Sequence, residues 1–444
     1  MTDTTMIAPG FGSKNYRSYA LGAMMVIYVF EVIDRILLSL VQEQIRTELN
    51  LSDLQLGLLG GPAFVLLYVL STLPIAHAAE RSNRITIISI GAALWSAATA
   101  LCGLANSFAH LFLARVLVGI GEAACLPPSH SAISDYFPSN KRSSALAIFG
   151  LGIPIGIVLA AFGGGWLAGN LGWRATFMTL GLCGVVAAVV LKLTVKDPPR
   201  GDLHDDPQNF VATLRQLFAK KTYRHAVAAG ALISIFGFAM PQFFVSYLIR
   251  QYGLTIGDAS FAFGTLFGFA AAVGIFLGGY LTDKLQYRHP QVIGWLPAAG
   301  VLISVPLYLL AFFQASYAAA LVLFALALVS HFTYNAPLFA IAQQVAEPRS
   351  RATASAMLML MLTLVGFGAG PPLVGAIADH VTASLAAGYG ITAAQCVATP
   401  HIARCVAIGG QGLRIGLSVA LLFFIWAAVH FWLAGRTYQA DRVR

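Results

Sequence analysis

The sequence predicts an all-α membrane protein whose twelve transmembrane helices form two pseudo-symmetric six-helix bundles. Three observations lead there. Hydrophobic residues fill 58% of the 444 positions and charged residues only 10%, against about 25% charge in soluble domains. Apolar stretches of about 20 residues, long enough to cross a bilayer, recur along the whole chain. Basic residues gather in alternate connections between those stretches, as they do where positive loops stay in the cytoplasm.

Taken in order, the spans are expected at 18–42, 53–79, 85–106, 109–134, 143–169, 173–195, 224–250, 257–283, 290–313, 317–344, 352–379 and 408–434. No charged n-region, short apolar run and small-residue cleavage site precede the first, so no removable signal peptide is expected and the polar segment 1–18 stays in the cytoplasm. Of the 27 Lys and Arg residues, all but Arg35, Arg46, Arg115, Arg174, Arg250, Arg404 and Arg414 then lie on the cytoplasmic side. This places both termini in the cytoplasm and the spans in a membrane bordering it. The formal charge of +9 is therefore an orientation signal rather than the footprint of a nucleic-acid partner.

Cys102, Cys125 and Cys183 fall within spans and read as small apolar packers. Cys396 and Cys405 flank the last outer loop, either bridged in an oxidising compartment or left as two thiols. No cluster has metal-ligand spacing, and no metal is expected.

The connection after the sixth span begins KDPPRGD, a breaker cluster, and continues as FVATLRQLFAKK, whose apolar spacing suits a short helix on the membrane surface. It divides the chain into a bundle at 1–195, a cytoplasmic linker at 196–223 and a second bundle at 224–444. The two blocks repeat one plan. HAAERSNR (77–84) follows the second span and GGYLTDKLQYR (278–288) the eighth; DYFPSNKRSSALA (135–147) follows the fourth and QQVAEPRSRATASA (343–356) the tenth, with Arg142 and Arg351 in register. Internal repeats of this kind mark transporters, whose substrate site lies near the midplane.

On these motifs the chain resembles the major facilitator superfamily. That family's loop signature, G-x-L-A-D-R-x-G-R-R, is met by Gly279, Leu281, Asp283 and Lys284, and in part by Ala79, Glu80, Arg81 and Arg84, with Glu for Asp and Ala76 for the first Gly. The R-x-x-x-G-x-G run appears as Arg115, Gly119 and Gly121, followed by Glu122, and the fifth span reads GLGIPIG (150–156). Within the superfamily, EVIDR (31–35), NLSDLQLGLLGGPAFVLLY (50–68) and RVLVGIGEAACLPPSHSAISDYFP (115–138) resemble the spinster branch. The resemblance implies a bacterial homologue of transporters that move lysophospholipids or sphingosine-1-phosphate-like lipids. It further implies a monomer in membrane lipid, with no cofactor and a proton gradient as energy source. A proton-coupled drug or organic-anion antiporter is the alternative.

The resemblance places the first, fourth, seventh and tenth spans around a central cavity. The first carries Glu31, Asp34 and Arg35, and the fourth Arg115 and Glu122. Charges at a span's centre cost roughly 2.5 to 3.5 kcal/mol each, so they mark a site. Measured from the cytoplasmic ends, Glu31 and Glu122 lie at about 20 Å and Arg35 and Arg115 at about 25 to 28 Å. The expectation is carboxylate facing carboxylate and guanidinium facing guanidinium, with Asp34 beside Arg35 either as part of the substrate and proton site or as an anchor for Arg35. Three carboxylates and two guanidiniums leave one negative charge, which one proton cancels. Arg does not usefully deprotonate, so Glu122 or Glu31 is expected to take the proton while Arg35 alternates between Glu122 and an anionic headgroup.

The second half offers Gln242, Phe244, Tyr247, His331, Tyr334 and Asn335 as cavity lining, with Met357, Met359 and Met361 nearby, suited to an acyl tail. Glu80, Arg81, Arg142, Asp283, Lys284 and Arg351 are expected to form a cytoplasmic gate. No enzyme is indicated: Ser129, His130, Ser134 and Asp135 share one helix, point in different directions and cannot form a triad.

Overall fold

In a computed structural model, which describes residues 11–200, 210–392, 395–396 and 402–443, the first apolar run forms one unbroken helix, α1 (Lys14–Leu49). Its central charges do not interrupt it: Asp34 and Arg35 find partners on neighbouring helices, and Glu31 pairs with Arg35 one turn away. Asn50 then turns with φ 53°, and Ser52 starts α2 (Asp53–Gly60) with a capping box, its side chain accepting from the Gln55 N–H while the Gln55 side chain accepts from the Ser52 N–H. After Gly61 come α3 (Pro62–Arg81), α4 (Arg84–Cys102) and α5 (Phe108–Glu122), the last two capped by Asn83 and Ser107. The fourth span breaks after Glu122 and restarts as α6 (Leu126–Tyr136). Pro127 and Pro128, which have no N–H to give, sit at the start of the new helix.

The stretch 140–194 is 55 residues long, about 80 Å of helix and enough for two crossings. It comprises α7 (Ser139–Gly150), α8 (Gly152–Leu159), a π-helical turn at Ala160–Gly164 and α9 (Gly165–Thr194). Inside α9, Gly172 has φ 79° and ψ 167°, a conformation open to Gly and strained for other residues. There the chain folds back, between the spans expected at 143–169 and 173–195. Next comes α10 (Phe210–Ala219), the amphipathic helix read from the linker; linker residues 201–209 lie outside the described residues.

The second half contains α11 (Lys221–Tyr252), ended by Gly253 at φ 67°, then α12 (Ile256–Thr265), a π-helical turn at Leu266–Ala270 and α13 (Ala271–Gln286). They are followed by α14 (Val292–Phe312), α15 (Tyr317–Phe332), α16 (Asn335–Val345), α17 (Arg351–Ala387), α18 (Ala403–Ala420) and α19 (Leu422–Asp441). The tenth span breaks between α15 and α16, the counterpart of the break after Glu122. No strand occurs among the described residues. Among the described residues, ten stretches are long and apolar enough to span. Counting the folded stretch twice and adding α1 gives the twelve spans.

The chain divides into two compact units, one of residues 1–41 and 63–205, the other of 42–62 and 206–444. These differ from the bundles read from the sequence: residues 42–62 group with the second unit, and the start of the linker with the first. In the first unit α4 packs along α5 and α9. A Cβ on Gly121 would lie 2.7 Å from the Trp95 backbone N, so glycine there permits the close approach of α5 to α4.

Cys396 and Cys405 form a disulfide. Cys102 and Cys125 are buried, whereas Cys183 lies exposed on α9.

Candidate functional site

All five deep charges come together inside the first unit. Glu31 is 0%, Asp34 3%, Arg115 2% and Glu122 1% exposed, whereas the Arg35 side chain keeps 24% exposure. The Arg35 Nε donates to Glu122 Oε2 at 2.6 Å, and a terminal nitrogen of the same guanidinium pairs with Glu31 one helical turn earlier on α1. The guanidinium also lies 5.3 Å from the ring centres of both Phe64 and Tyr68 on α3, within cation–π range. Separately, Arg115 donates to Asp34 Oδ2 at 3.3 Å, and the Thr99 hydroxyl of α4 donates to Asp34 Oδ1.

This corrects the expected layering. Like groups do not face each other: Arg35 sits between two carboxylates, and Asp34 anchors Arg115 rather than Arg35. The physical reason is elementary, since each buried guanidinium is drawn to the nearest opposite charge rather than to its like. The charges thus divide into a neutral pair, Asp34 with Arg115, and a triad, Glu31, Arg35 and Glu122, that holds the whole acidic excess. Within the triad each carboxylate gives one oxygen to Arg35. The others, Glu31 Oε2 and Glu122 Oε1, are buried without a hydrogen-bond partner, a costly arrangement for an ionised carboxylate. A cavity of about 10 Å³ lies beside Asp34, lined by Trp95, Ser96 and Thr99 among others, the size of one water.

The aromatic residues of the second half are placed differently from the expectation. Phe244 is 0% exposed and packs edge-on against Phe267 and Phe324. Tyr247, equally buried, donates to the Phe312 carbonyl at 3.0 Å. His331 is 3% exposed, stacks on Tyr334 and lies 3.1 Å from the Tyr308 hydroxyl. These are core residues of the second unit and not cavity lining, because aromatic side chains on three packed helices satisfy one another. Gln242 donates to Gln42 at 2.7 Å, and Gln42 to Ser246 at 2.9 Å. Tyr334 is buried and Asn335 half-buried, while Met357 and Met361 are half-buried and Met359 is exposed.

Of the residues expected to gate, Glu80 pairs with His77 at 3.4 Å, Arg142 donates to the Phe137 carbonyl at 3.2 Å, Asp283 accepts from Gln286 at 3.2 Å, and Lys284 lies over Tyr280. Each engages a neighbour in its own segment; Arg81 and Arg351 are exposed. The ordered knot at this end is instead built on Arg84, which binds Asp197 through Nε at 2.9 Å, Asp135, Ser131 and the Pro198 carbonyl. Arg200 donates to the carbonyls of Ala79 and Ser82, closing the end of α3.

A second buried charge cluster escaped the sequence reading. Arg250 grips Asp53 with two hydrogen bonds of 2.8 and 2.7 Å and reaches Glu43 at 2.9 Å, while Arg46 pairs with Glu43 at 3.2 Å. The Asp379 carboxylate accepts the backbone N–H groups of Asp53 and Leu54 at 2.9 and 2.8 Å, an anion at a helix N-terminus. Arg46 and Arg250 had read as outer-side exceptions to the basic-loop pattern. Their separation in sequence hid the pairing.

With this geometry in hand, the family follows from comparison. The sequence profile of the Major Facilitator Superfamily matches residues 23–371. The chain belongs to the major facilitator superfamily. This transporter superimposes with a TM-score of 0.90 on the crystal structure of a bacterial homolog of the human lysosomal transporter Spinster, in an inward-facing and unoccupied conformation. The two are 34% identical, over 98% of this chain and 100% of that one. It is 29% identical over 425 residues to an MFS-type efflux pump of Mycolicibacterium smegmatis, covering 95% of this chain and 93% of the pump. It is 28% identical over 302 residues to Protein spinster of Drosophila melanogaster, covering 65% of this chain and 49% of that protein. The transporter is therefore an integral membrane protein related to the spinster proteins.

Proposed function

We propose that this protein is a proton-coupled secondary transporter that moves an amphipathic anionic lipid, of the lysophospholipid or sphingosine-1-phosphate type, by alternating access. Both termini face the cytoplasm of a bacterial cell, and the monomer is the working unit. The observation that carries the reading is the triad: one guanidinium between two buried carboxylates, each with an oxygen left unpartnered. A proton on Glu122 or Glu31 leaves the triad neutral and loosens one of the two ion pairs holding Arg35. The guanidinium, the only one of the five charges with appreciable exposure, then meets a phosphate headgroup through two parallel hydrogen bonds. Departure of the lipid and of the proton restores the pair. Asp34 and Arg115 hold the two helices in register and take no part in the exchange.

The test is transport by purified protein in proteoliposomes across a pH series. Uptake or release of lysophospholipid should depend on pH in the native protein and lose that dependence in Glu122→Gln. Unchanged proton coupling in the variant defeats the proposal. The similarity to a mycobacterial efflux pump favours a second reading, a drug or organic-anion antiporter using the same triad. A panel of lysophospholipids, sphingosine-1-phosphate and cationic drugs, bound at two pH values, separates the two.

A further inference from the structure

Away from the charge cluster, a groove of about 430 Å³ runs between the first turns of α1 and α7, lined by Ser18, Leu21 and Gly22 on one side and Phe137, Lys141, Ser144, Ala145 and Ile148 on the other. Two features distinguish it from an ordinary helix crevice. A Cβ on Gly22 would meet nothing within 4 Å, so the floor is open space and not a close helix contact. Its charges are also uncompensated. Lys141 and, one turn before Ser18, Lys14 are exposed and form no ion pair among the described residues. The acids described at this end are committed elsewhere: Asp135 and Asp197 to Arg84, and Glu80 to His77. Arg142 gives its Nε to the Phe137 carbonyl.

We infer that this groove binds one anionic phospholipid of the surrounding bilayer, its phosphate at Lys141 and the Ser144 hydroxyl, the Ser18 hydroxyl being given to the Lys14 carbonyl, and an acyl chain along Leu21, Gly22, Ala145 and Ile148. Basic pockets between transmembrane helices attract anionic headgroups, each lysine near the surface favouring them by about five-fold. A volume of this size lies within the range of ligand sites. Gly22 lies nine residues before Glu31, about 13 Å along the helix, so the lipid site and the triad are separate. The inference does not depend on which substrate the triad carries.

Native mass spectrometry of the detergent-purified protein with added phosphatidylglycerol or phosphatidylcholine tests it. The native protein should retain one phosphatidylglycerol at least about five-fold better than phosphatidylcholine. Lys141→Glu should erase that preference, Lys141→Arg should keep it, and Gly22→Phe, which fills the floor, should lower retention of the lipid without changing the thermal midpoint. Arg35→Gln should leave retention intact. Equal retention of the two lipids, a preference surviving Lys141→Glu, or retention unaffected by Gly22→Phe overturns the inference. So does loss of the lipid in Arg35→Gln, which would place it at the triad, or full displacement by millimolar inorganic phosphate, which would make this a free-anion site.

Discussion

Neutralising Asp34 and neutralising Glu122 should have very unequal consequences for stability, although both are deeply buried carboxylates on facing helices. Asp34→Asn leaves Arg115, 2% exposed, without a counter-charge. At the observed 3.3 Å separation and an effective dielectric of ~20, the lost attraction is about 5 kcal/mol, in line with the ~3 to 5 kcal/mol usual when one partner of a buried pair is removed. Glu122→Gln also deletes an attraction, to Arg35 at 2.6 Å. Yet Arg35 keeps Glu31, a buried anion no longer has to be desolvated, and the repulsion between the two carboxylates disappears, so the net change should stay within ~1 kcal/mol. For a unit of roughly 200 residues these figures correspond to a fall of about 6 to 20 °C for Asp34→Asn and under about 4 °C for Glu122→Gln. Thermal unfolding of the purified variants in one detergent, followed by tryptophan fluorescence, reads both. Adding Arg115→Met to Asp34→Asn should recover most of the loss, because the stranded charge is then gone. If Glu122→Gln falls as far as Asp34→Asn, the acidic excess does not reside in the triad and the proposed proton site is wrong.

Two further expectations concern single side chains. Arg35→Lys keeps the charge but gives up the planar two-bond grip on a phosphate, and should weaken lysophospholipid binding about ten-fold in a direct binding assay while leaving the thermal midpoint nearly unchanged. Asp53→Asn strips Arg250 of its two-bond partner in the second unit and should cost about 3 to 5 kcal/mol; a proteolysis or thermal assay showing the native midpoint would mean that Glu43 alone suffices.

Much of this molecule was legible in its residues. Span lengths follow from hydropathy, because a bilayer forces every backbone polar group into a helix and leaves composition as the main variable. The short helix at Phe210–Ala219 was visible too, its apolar spacing being a local pattern. That Glu31, Asp34, Arg35, Arg115 and Glu122 would gather was also readable, since charges in apolar runs have few tolerable destinations. What the chain alone determined is thus which segments cross the membrane and which residues are too costly to face lipid. Pairing is another matter. Side-chain reach spans more than one helical turn, so equal depth along two helices does not say which guanidinium meets which carboxylate; only the packed bundle gave Arg35 to Glu31 and Glu122, and Arg115 to Asp34. Likewise Phe244, Tyr247 and His331 have the residue types of a cavity wall, but aromatic side chains are equally at home in a core, and their burial is set by neighbours on the π-helical turn at Leu266–Ala270, α14 and α15 that sequence spacing cannot specify. The grip of Arg250 on Asp53 belongs to the same class, joining residues far apart in the chain through a contact that exists only once the helices have packed.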